Sequence, residues 1–203
     1  MEDYSSLPQS GMICGHSRRR EVQAVGGFPC CGNGGSAADA EHIVGEMMKG
    51  FCLPRRLADD DKARLASVAS DDTELLATKL QYGLAALSLV SHSALITATA
   101  NDQDGQLIFA QQAWGIGQDG DVLLAISTSG NSQNVLLASK VARAKNILVV
   151  GLTGASGGRL AEICDIAIKV PSDQVAEIQE MHLPIYHHIC ASVEAHFFGD
   201  LNW

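Results

Sequence analysis

The stretch Gly120-Asp-Val-Leu-Leu-Ala-Ile-Ser-Thr-Ser-Gly-Asn-Ser132 decides the fold. Its apolar run, Val122–Ile126, predicts a strand that is buried on both faces of a parallel sheet. Hydroxyl side chains then surround Gly130, and a helical pattern follows over Ser132–Ala144. A strand, a glycine-containing turn and a helix in this order are typical of a βαβ unit.

Short apolar runs alternate with longer helical stretches from Phe28 onward. This alternation predicts an α/β fold, a three-layer sandwich with helices on both faces of a parallel, flavodoxin-like five-stranded sheet. The remaining predicted strands are Phe28–Cys31, weakened by Pro29, and Leu84–Leu89, Ile147–Leu152 and Ile166–Val170. The remaining predicted helices are Ser36–Phe51, His92–Ala100, Ile108–Gly115, Arg159–Ile163 and Val175–Phe198. Between Pro54 and Tyr82, the aspartate-rich sequence predicts a solvated loop or a helix start.

Size and composition describe an ordinary globular chain. With 203 residues, 46% apolar and 18% charged, it suits one domain over residues 28–203, preceded by an irregular arm over residues 1–27. The net charge of −9 disfavours a general nucleic-acid binder. No apolar run approaches the roughly 20 residues that cross a bilayer, so no membrane partner is expected. Six cysteines without a Cys-x-x-Cys pair, and no signal-like start, favour reduced thiols and a cytoplasmic location.

Two glycine- and serine-rich turns follow predicted strands and precede predicted helices. They are Cys31-Gly-Asn-Gly-Gly-Ser36 and the turn that begins at Ser127. Because the carboxyl ends of parallel strands share one edge of a sheet, both turns are expected to face one cleft. The hydroxyl groups of the second turn and the N–H groups of the next helix suit a phosphate. The alternative is a plain turn in which Ser132 is the helix N-cap.

Histidines and one carboxylate are the other candidates for chemistry. His42 and Glu46 are four residues apart and share one face of a predicted helix, near the same cleft. Such a pair can hold a divalent metal, transfer a proton, or form an ordinary surface contact. His182, His187 and His188 can each cap, pack or face solvent, and the sequence does not choose among these roles.

Five blocks in order, covering about residues 30 to 198, together resemble the phosphoheptose isomerases. These enzymes belong to the sugar-isomerase (SIS) domain superfamily and interconvert sedoheptulose 7-phosphate and D-glycero-D-manno-heptose 7-phosphate. The blocks are Cys-Gly-Asn-Gly-Gly-Ser-Ala-Ala-Asp-Ala-Glu-His-Ile-Val-Gly-Glu (31–46), Asn101-Asp102, the stretch from Gly120 to Ser132, Gly151-Leu-Thr-Gly154, and Ile178-Gln-Glu-Met-His182 with His187.

The resemblance implies a role for each matched residue. Glu46 is the base that moves a proton between C1 and C2 through an enediol(ate), and His187 is the opposing acid/base. The implied phosphate-binding residues are Ser36, Ser127, Thr128, Ser129 and Ser132. The implied sugar- or substrate-binding residues are Asn33, Gly34, Gly35, Asn101, Asp102 and Gln179. The resemblance also implies one zinc ion held by His42, Glu46, Gln179 and His187. Chemically, the reaction needs a carboxylate of tuned pKa and a group that polarises the oxygen.

Two features depart from a simple transfer of the family pattern. Gln179 and His187 are about 12 Å apart along an ideal helix, so Pro184 between them predicts a kink or a helix start. Residues 1–27 lack the long helices with which the family builds a homotetramer whose active sites include residues of neighbouring subunits. A homotetramer remains the assembly that the resemblance implies.

Two other functions remain open on the sequence. One is a non-catalytic relative that senses sugar phosphates or binds a protein partner. The family member that associates with the bacterial replication initiator is of this type, and it lacks the carboxylate at the position of Glu46. The other is an isomerase of a different phosphosugar, since one fold supports many substrates. The presence of Glu46 favours catalysis.

Overall fold

The computed structural model describes residues 26–199, so nearly all of the arm predicted for residues 1–27 lies outside the described residues. A five-stranded, all-parallel sheet has the strand order β2-β1-β3-β4-β5, which is the flavodoxin-like order. This confirms the predicted sheet. The strands are β1 (Phe28–Cys31), β2 (Ala86–Ser88), β3 (Val122–Ile126), β4 (Leu148–Thr153) and β5 (Ile166–Lys169).

The predicted helices are all present, with bounds close to those expected. They are α1 (Gly35–Met48), α4 (Ser93–Thr99), α5 (Ile108–Ile116), α6 (Gln133–Ala144), α7 (Gly158–Ile163) and α8 (Val175–Phe198). A π-helical turn (Ala100–Asp104) and a 3₁₀ turn (Gly105–Leu107) join α4 to α5. Within residues 26–199, no helix combines the length and apolarity needed to cross a bilayer.

The aspartate-rich segment is more helical than predicted. It contains two helices, α2 (Asp59–Val68) and α3 (Thr73–Lys79), and neither has a buried residue. Three aspartates occupy the first turn of α2, where the helix dipole favours negative charge. A helix that buries nothing has no apolar stripe, and for that reason periodicity did not reveal these two.

Helices cover both faces of the sheet, as the uniformly apolar β3 predicts. Leu124 and Ile126 pack towards Ile43 of α1 and Tyr186 of α8. Leu123 and Ala125 point the other way, into a cluster with α5, α6 and α7. Alternate residues of one strand therefore fill two separate cores, which confirms the three-layer sandwich.

Pro29 lies in a central strand, although it was expected to weaken β1. The Phe28 N–H donates to Ala85 O (2.8 Å), and Cys30 O accepts from the Leu89 N–H (2.9 Å), so both residues bond towards β2. The missing N–H of Pro29 therefore faces β3. Hydrogen bonding to β3 continues on both sides of Pro29: the Val122 N–H donates to Gly27 O at 3.0 Å, and Cys30 pairs with Leu124. The strand tolerates proline because it loses one donor towards β3 while the pairing on either side remains.

Helix α8 is continuous through Pro184. Of the two alternatives offered at Pro184, a kink or a helix start, the helix start is therefore wrong, and the helix predicted over Val175–Phe198 is confirmed. Gln179 and His187 remain in one helix, about 12 Å apart along its axis.

Candidate active site

The two glycine-rich turns meet at the carboxyl ends of β1 and β3, which are adjacent strands. The side-chain amides of Asn33 and Asn134 join them through two reciprocal hydrogen bonds, each 2.9 Å long. The turns therefore share one edge of the sheet, as the sequence predicts. Asn134 was not among the predicted site residues, since an amide in the first turn of a helix carries no signal of its own.

The hydroxyl-rich turn between β3 and α6 keeps its helix start open to a ligand. Ser127 is buried, and its hydroxyl donates to the Ser132 hydroxyl at 3.0 Å. Ser132 precedes α6 but makes no side-chain capping bond. Ser132 does occupy the N-cap position, as the alternative predicts, but its hydroxyl accepts from Ser127 instead of capping α6. Ser129 Oγ accepts from the Asn131 N–H at 3.2 Å. We call residues Ser127–Ser132 the cradle.

The backbone of the cradle is fixed by the neighbouring turn between β4 and α7. The Thr128 carbonyl accepts from the Gly154 N–H (3.0 Å), and the Gly130 carbonyl accepts from the Leu160 N–H (2.9 Å). Gly130 has φ +64°, and a Cβ there would collide with the carbonyl oxygen of Gly157. Only glycine fits at this position.

The start of α1 forms the second wall of this edge. Gly34 has φ +57° and provides no side-chain cap, and Ser36 is buried in the first turn. A Cβ on Gly35 would overlap the amide of Gln179 from α8. Glycine at 35 therefore lets α8 bring Gln179 beside the cradle end of α1.

A second cluster lies further along the same two helices. His42 Nε2 is 3.1 Å from Glu46 Oε1, and the Lys49 ammonium is 2.9 Å from Glu46 Oε2. The ring centroids of His42 and His187 are 5.0 Å apart. Tyr186 Oη is 3.0 Å from His42 Nδ1. The structure thus brings the predicted pair and His187 together, and it adds Lys49 and Tyr186.

Hydrogen-bond donors around Glu46 keep its carboxyl group ionised. The Lys49 ammonium lowers the pKa of the Glu46 carboxyl, and the His42 hydrogen bond lowers it further. An ionised Glu46 only accepts, so His42 donates to it through the Nε2–H. Tyr186 Oη lies 3.0 Å from His42 Nδ1 and is also hydrogen-bonded to the Asp39 carboxyl. Burial, first, and the nearby Asp39 carboxylate raise the pKa of Tyr186 to about 12, so its hydroxyl keeps its proton. Glu46 is therefore ionised, and both of its carboxylate oxygens have hydrogen-bond partners.

The three histidines of α8 have different environments. His187 Nε2 is buried without a hydrogen-bond partner among the described residues. His182 is fully buried, and burial lowers its pKa, which makes it a neutral packing residue. His188 is exposed. His182 Nδ1 is likewise buried without a partner among the described residues, but it is the His187 ring that lies beside His42, the partner of Glu46.

The cradle and the base cluster lie at opposite ends of one helix pair. Helices α1 and α8 run side by side in the same direction, because Gly35 lies beside Gln179 and His42 lies beside Tyr186 and His187. Ser36 and Glu46 are ten residues apart, which is about 15 Å along α1. The expectation that His42 and Glu46 lie near the turns is corrected: His42 lies in the middle of α1 and Glu46 in its last turn.

The predicted zinc ligands are only partly brought together. His42, Glu46 and His187 are neighbours, whereas Gln179 lies at the cradle end of α8, beside Gly35. Within residues 26–199, no group of three or more histidine, cysteine or acidic side chains is arranged to hold a metal ion.

This chain is similar to known proteins in both sequence and fold. The SIS domain family model matches residues 75–195. The phosphoheptose isomerase of Rhodospirillum rubrum is 40% identical over 173 residues, which cover 85% of this chain and 78% of that protein. Phosphoheptose isomerase 2 of Campylobacter jejuni is 41% identical, over 83% and 71% of the two chains. The solved phosphoheptose isomerase of Neisseria gonorrhoeae superposes with a TM-score of 0.66 at 31% identity, over 89% of this chain and 85% of that one.

The chain belongs to the phosphoheptose isomerase family. It is accordingly an isomerase with an SIS domain, which confirms the predicted family, fold and enzyme class.

Asn101 and Asp102 lie on the π-helical turn between α4 and α5 of this isomerase. Both are exposed, and the Asn101 amide donates to Asp102 Oδ1 at 2.8 Å. Neither forms a hydrogen bond to the cradle or to Glu46 within residues 26–199, so their role towards the sugar stays a prediction.

A buried ion pair lies under the end of α1 and was not predicted. Arg55 Nε donates to Glu194 Oε1 at 2.8 Å, and both side chains are fully buried. Burial acts to raise the pKa of Glu194, but the N–H groups of Phe51, Cys52 and Leu53 and the Arg55 guanidinium outweigh it and leave the pKa below its ordinary value. No sequence spacing links residues 139 apart.

The Glu194 pair predicts how acid affects stability. A glutamate in the unfolded chain titrates near pH 4.3. Because the folded pKa is lower, ionised Glu194 stabilises the fold above about that pH, and this stabilisation is lost as pH falls through the folded pKa. The difference in unfolding free energy between wild type and Glu194→Gln should therefore be constant above about pH 5 and shrink below about pH 4.

Urea unfolding at several pH values measures this difference. Glu74→Gln, in the exposed helix α3, controls for the loss of one negative charge. A difference that grew as the pH was lowered would contradict the assignment.

Proposed function

We propose that this isomerase converts sedoheptulose 7-phosphate into D-glycero-D-manno-heptose 7-phosphate, with the phosphate in the cradle and Glu46 as the base. The observation that carries the proposal is that Ser36, in the first turn of α1 beside the cradle, lies about 15 Å from Glu46 along that helix. Such a separation suits a long sugar that reacts at one end and carries its phosphate at the other.

The length of the substrate matches this separation. Eight bonds join C1 to phosphorus in an open-chain heptulose 7-phosphate, which is about 10 Å at about 1.2 Å per bond of an extended chain. A hydrogen bond to the phosphate adds about 3 Å, and the Glu46 side chain covers the remaining distance. A substrate with fewer carbons leaves a gap at one of the two ends.

The cradle suits a phosphate without needing lysine or arginine. Its hydroxyl groups and the uncapped start of α6 supply donors, and the helix dipole attracts negative charge. The reciprocal amide pair of Asn33 and Asn134 keeps the two turns at a fixed spacing. Gln179, beside Gly35, lies where the first carbons after the phosphate would pass.

Proton transfer takes place at the other end. Glu46 takes a proton from C1 of the ketose, and the C1–H electron pair forms the C1–C2 double bond of the enediol(ate) while O2 gains a proton. Glu46 then returns its proton to C2 as the O1 proton leaves and the C1 carbonyl forms. His187 suits the transfers at O1 and O2, because its Nε2 has no protein partner among the described residues.

Hydrogen bonds hold Glu46 ready for this step. His42 and Lys49 orient the two carboxylate oxygens and keep Glu46 ionised. The non-catalytic alternative explains neither this arrangement nor the unused His187 nitrogen. An isomerase acting on another phosphosugar of similar length remains the second candidate, since the separation fixes length and not stereochemistry.

Zinc is part of this proposal on the strength of the donor set. Two imidazoles and a carboxylate are ligand types that suit zinc, and with zinc bound the buried His187 Nε2 would be a ligand in place of its proton-transfer role. His42, Glu46 and His187 would be the ligands, although the described residues do not hold them in a metal-binding arrangement. His42 Nε2 would exchange its hydrogen bond to Glu46 for the ion, and Gln179, at the cradle end of α8, would need to move to join them. A bound zinc ion would stabilise the enediolate as a Lewis acid.

The homotetramer, the cytoplasmic location and the single domain over residues 28–203 likewise stay predictions.

The role of Glu46 predicts the effect of Glu46→Gln. The amide keeps the size of the side chain but cannot accept the C1 proton, so kcat should fall about 10²–10⁴-fold with little change in KM. Steady-state assays with sedoheptulose 7-phosphate measure this. Glu41→Gln is the matched control, since Glu41 lies on the same helix and bonds to Ser91. Turnover within a few-fold of wild type for Glu46→Gln would remove Glu46 as the base.

The cradle predicts a different pattern for Ser129→Ala. Loss of one hydrogen bond to a charged group weakens binding by about 1.5–3 kcal/mol, so KM should rise about tenfold or more while kcat changes less. Inorganic phosphate should also inhibit the variant less strongly. Ser67→Ala, on the exposed helix α2, is the control. Unchanged KM and unchanged inhibition by phosphate would place the phosphate elsewhere.

The zinc proposal predicts about one zinc ion per chain in elemental analysis of protein purified without chelator. His187→Ala should lower the zinc content, and a chelator should lower turnover in wild type. Metal-free protein with full turnover would exclude zinc from the mechanism.

A further inference from the structure

The proposed base lies at the weakest part of its helix. Glu46 is in the last turn of α1, which ends at Met48, and the last carbonyls of a helix have no partner within it. The Gly50 N–H, which would bond to the Glu46 carbonyl in a longer helix, donates to Gln81 Oε1 instead (3.0 Å). The position of Glu46 therefore depends on contacts from outside α1.

The Leu84 N–H donates to the Met47 carbonyl at 2.9 Å, and Arg55 supplies two further contacts. Its Nη2 donates to the Glu46 carbonyl at 3.1 Å, and its Nη1 donates to the Met47 carbonyl. The guanidinium thus replaces the backbone N–H groups that the helix end lacks. Because the guanidinium is planar and rigid, its two donating nitrogens fix the positions of both carbonyls relative to each other.

Glu194 of α8 holds Arg55 in turn. Besides the ion pair, its carboxylate accepts from the N–H groups of Phe51 (2.7 Å), Cys52 (2.6 Å) and Leu53 (2.9 Å). One fully buried carboxylate of α8 therefore binds the segment that comes directly after α1.

The same helix carries the proposed acid. His187 precedes Glu194 by seven residues, which is two turns, so both side chains leave the same side of α8 about 10.5 Å apart. Through Glu194 and Arg55, α8 sets the end of α1 relative to His187. A buried ion pair is weak evidence for stability, because desolvation offsets its attraction. A geometric role accounts better for an ion pair at this place.

We propose that Arg55 and Glu194 are positioning residues that hold Glu46 opposite His187 for proton transfer. This inference rests on the proposed function. Neither residue touches the substrate; both act through the backbone of the last turn of α1.

Arg55→Lys is the first test. Lysine keeps the buried charge next to Glu194 but has a single ammonium group, which cannot hold both carbonyls as the fork does. A displacement of about 1 Å at a reacting group costs about 100-fold, so we expect kcat to fall to that extent. KM for sedoheptulose 7-phosphate should stay within about twofold, because the cradle lies at the other end of α1.

Two further variants separate positioning from stability. Glu194→Gln keeps the side-chain shape and an oxygen for the loop N–H groups, and it is the second test if Arg55→Lys does not fold. Val149→Ala, in the core on the opposite face of the sheet, lowers folding stability without touching α1. It should keep the wild-type kcat. An equal loss of kcat in Val149→Ala would show that the effect is one of stability and would overturn the proposal.

Amide hydrogen exchange supplies a readout that does not need activity. In Arg55→Lys, amides of residues 44–50 should exchange at least about tenfold faster, while those of residues 36–40 stay unchanged. Wild-type kcat together with wild-type exchange in the folded variant would overturn the positioning role. If wild type itself fails to turn over phosphosugars, the proposed function fails, and exchange alone decides the role of Arg55 and Glu194.

Discussion

The length of helix α1 is the constraint on which this site depends. Its first turn faces the cradle and its last turn carries Glu46, so a rigid helix sets the two apart by about 15 Å. Neither end is defined by α1 alone. At the first turn of α1, the adjacent strands β1 and β3 bring the two glycine-rich turns together. At its last turn, α8 holds α1 in place through Glu194 and Arg55.

The two ends differ in how their polar groups are arranged. At the cradle, hydroxyls bond to one another, and the start of α6 has no side-chain cap, which leaves donors for an anion. At the base, both oxygens of Glu46 already have partners, and the nearby Nε2 of His187 has none. In the proposed function, binding and proton transfer therefore belong to separate groups. Stability comes mainly from the two apolar cores on either side of the sheet.

The sequence predicts those parts of the fold that depend on local pattern. The uniformly apolar β3 and the long helix α8 have the bounds that were predicted. Helices α2 and α3 lack a buried stripe, so periodicity gave no signal for them. Pro29 was expected to weaken its strand because the sequence does not show which neighbouring strand the missing N–H of Pro29 faces. It also does not show that the residues around Pro29 keep their pairing with that strand.

In the candidate site too, the sequence predicts the local motifs and does not predict the long-range contacts. His42, Glu46 and the cradle hydroxyls come from local motifs. The contacts of Tyr186 with His42, of Asn33 with Asn134 and of Arg55 with Glu194 join residues that are 144, 101 and 139 positions apart. Only the folded chain reveals such pairs. Spacing also shows that Gln179 and His187 lie far apart on one helix, and the continuous α8 keeps that separation.

The central claim is that the distance from the cradle to Glu46 selects a seven-carbon substrate. The most direct measurement compares kcat/KM for sedoheptulose 7-phosphate and for a five-carbon ketose 5-phosphate, which is shorter by two bonds, or about 2.5 Å. We expect kcat/KM to be at least about 100-fold lower for the shorter sugar, because its C1 does not reach Glu46 while its phosphate is bound. Equal kcat/KM for the two sugars would contradict the account.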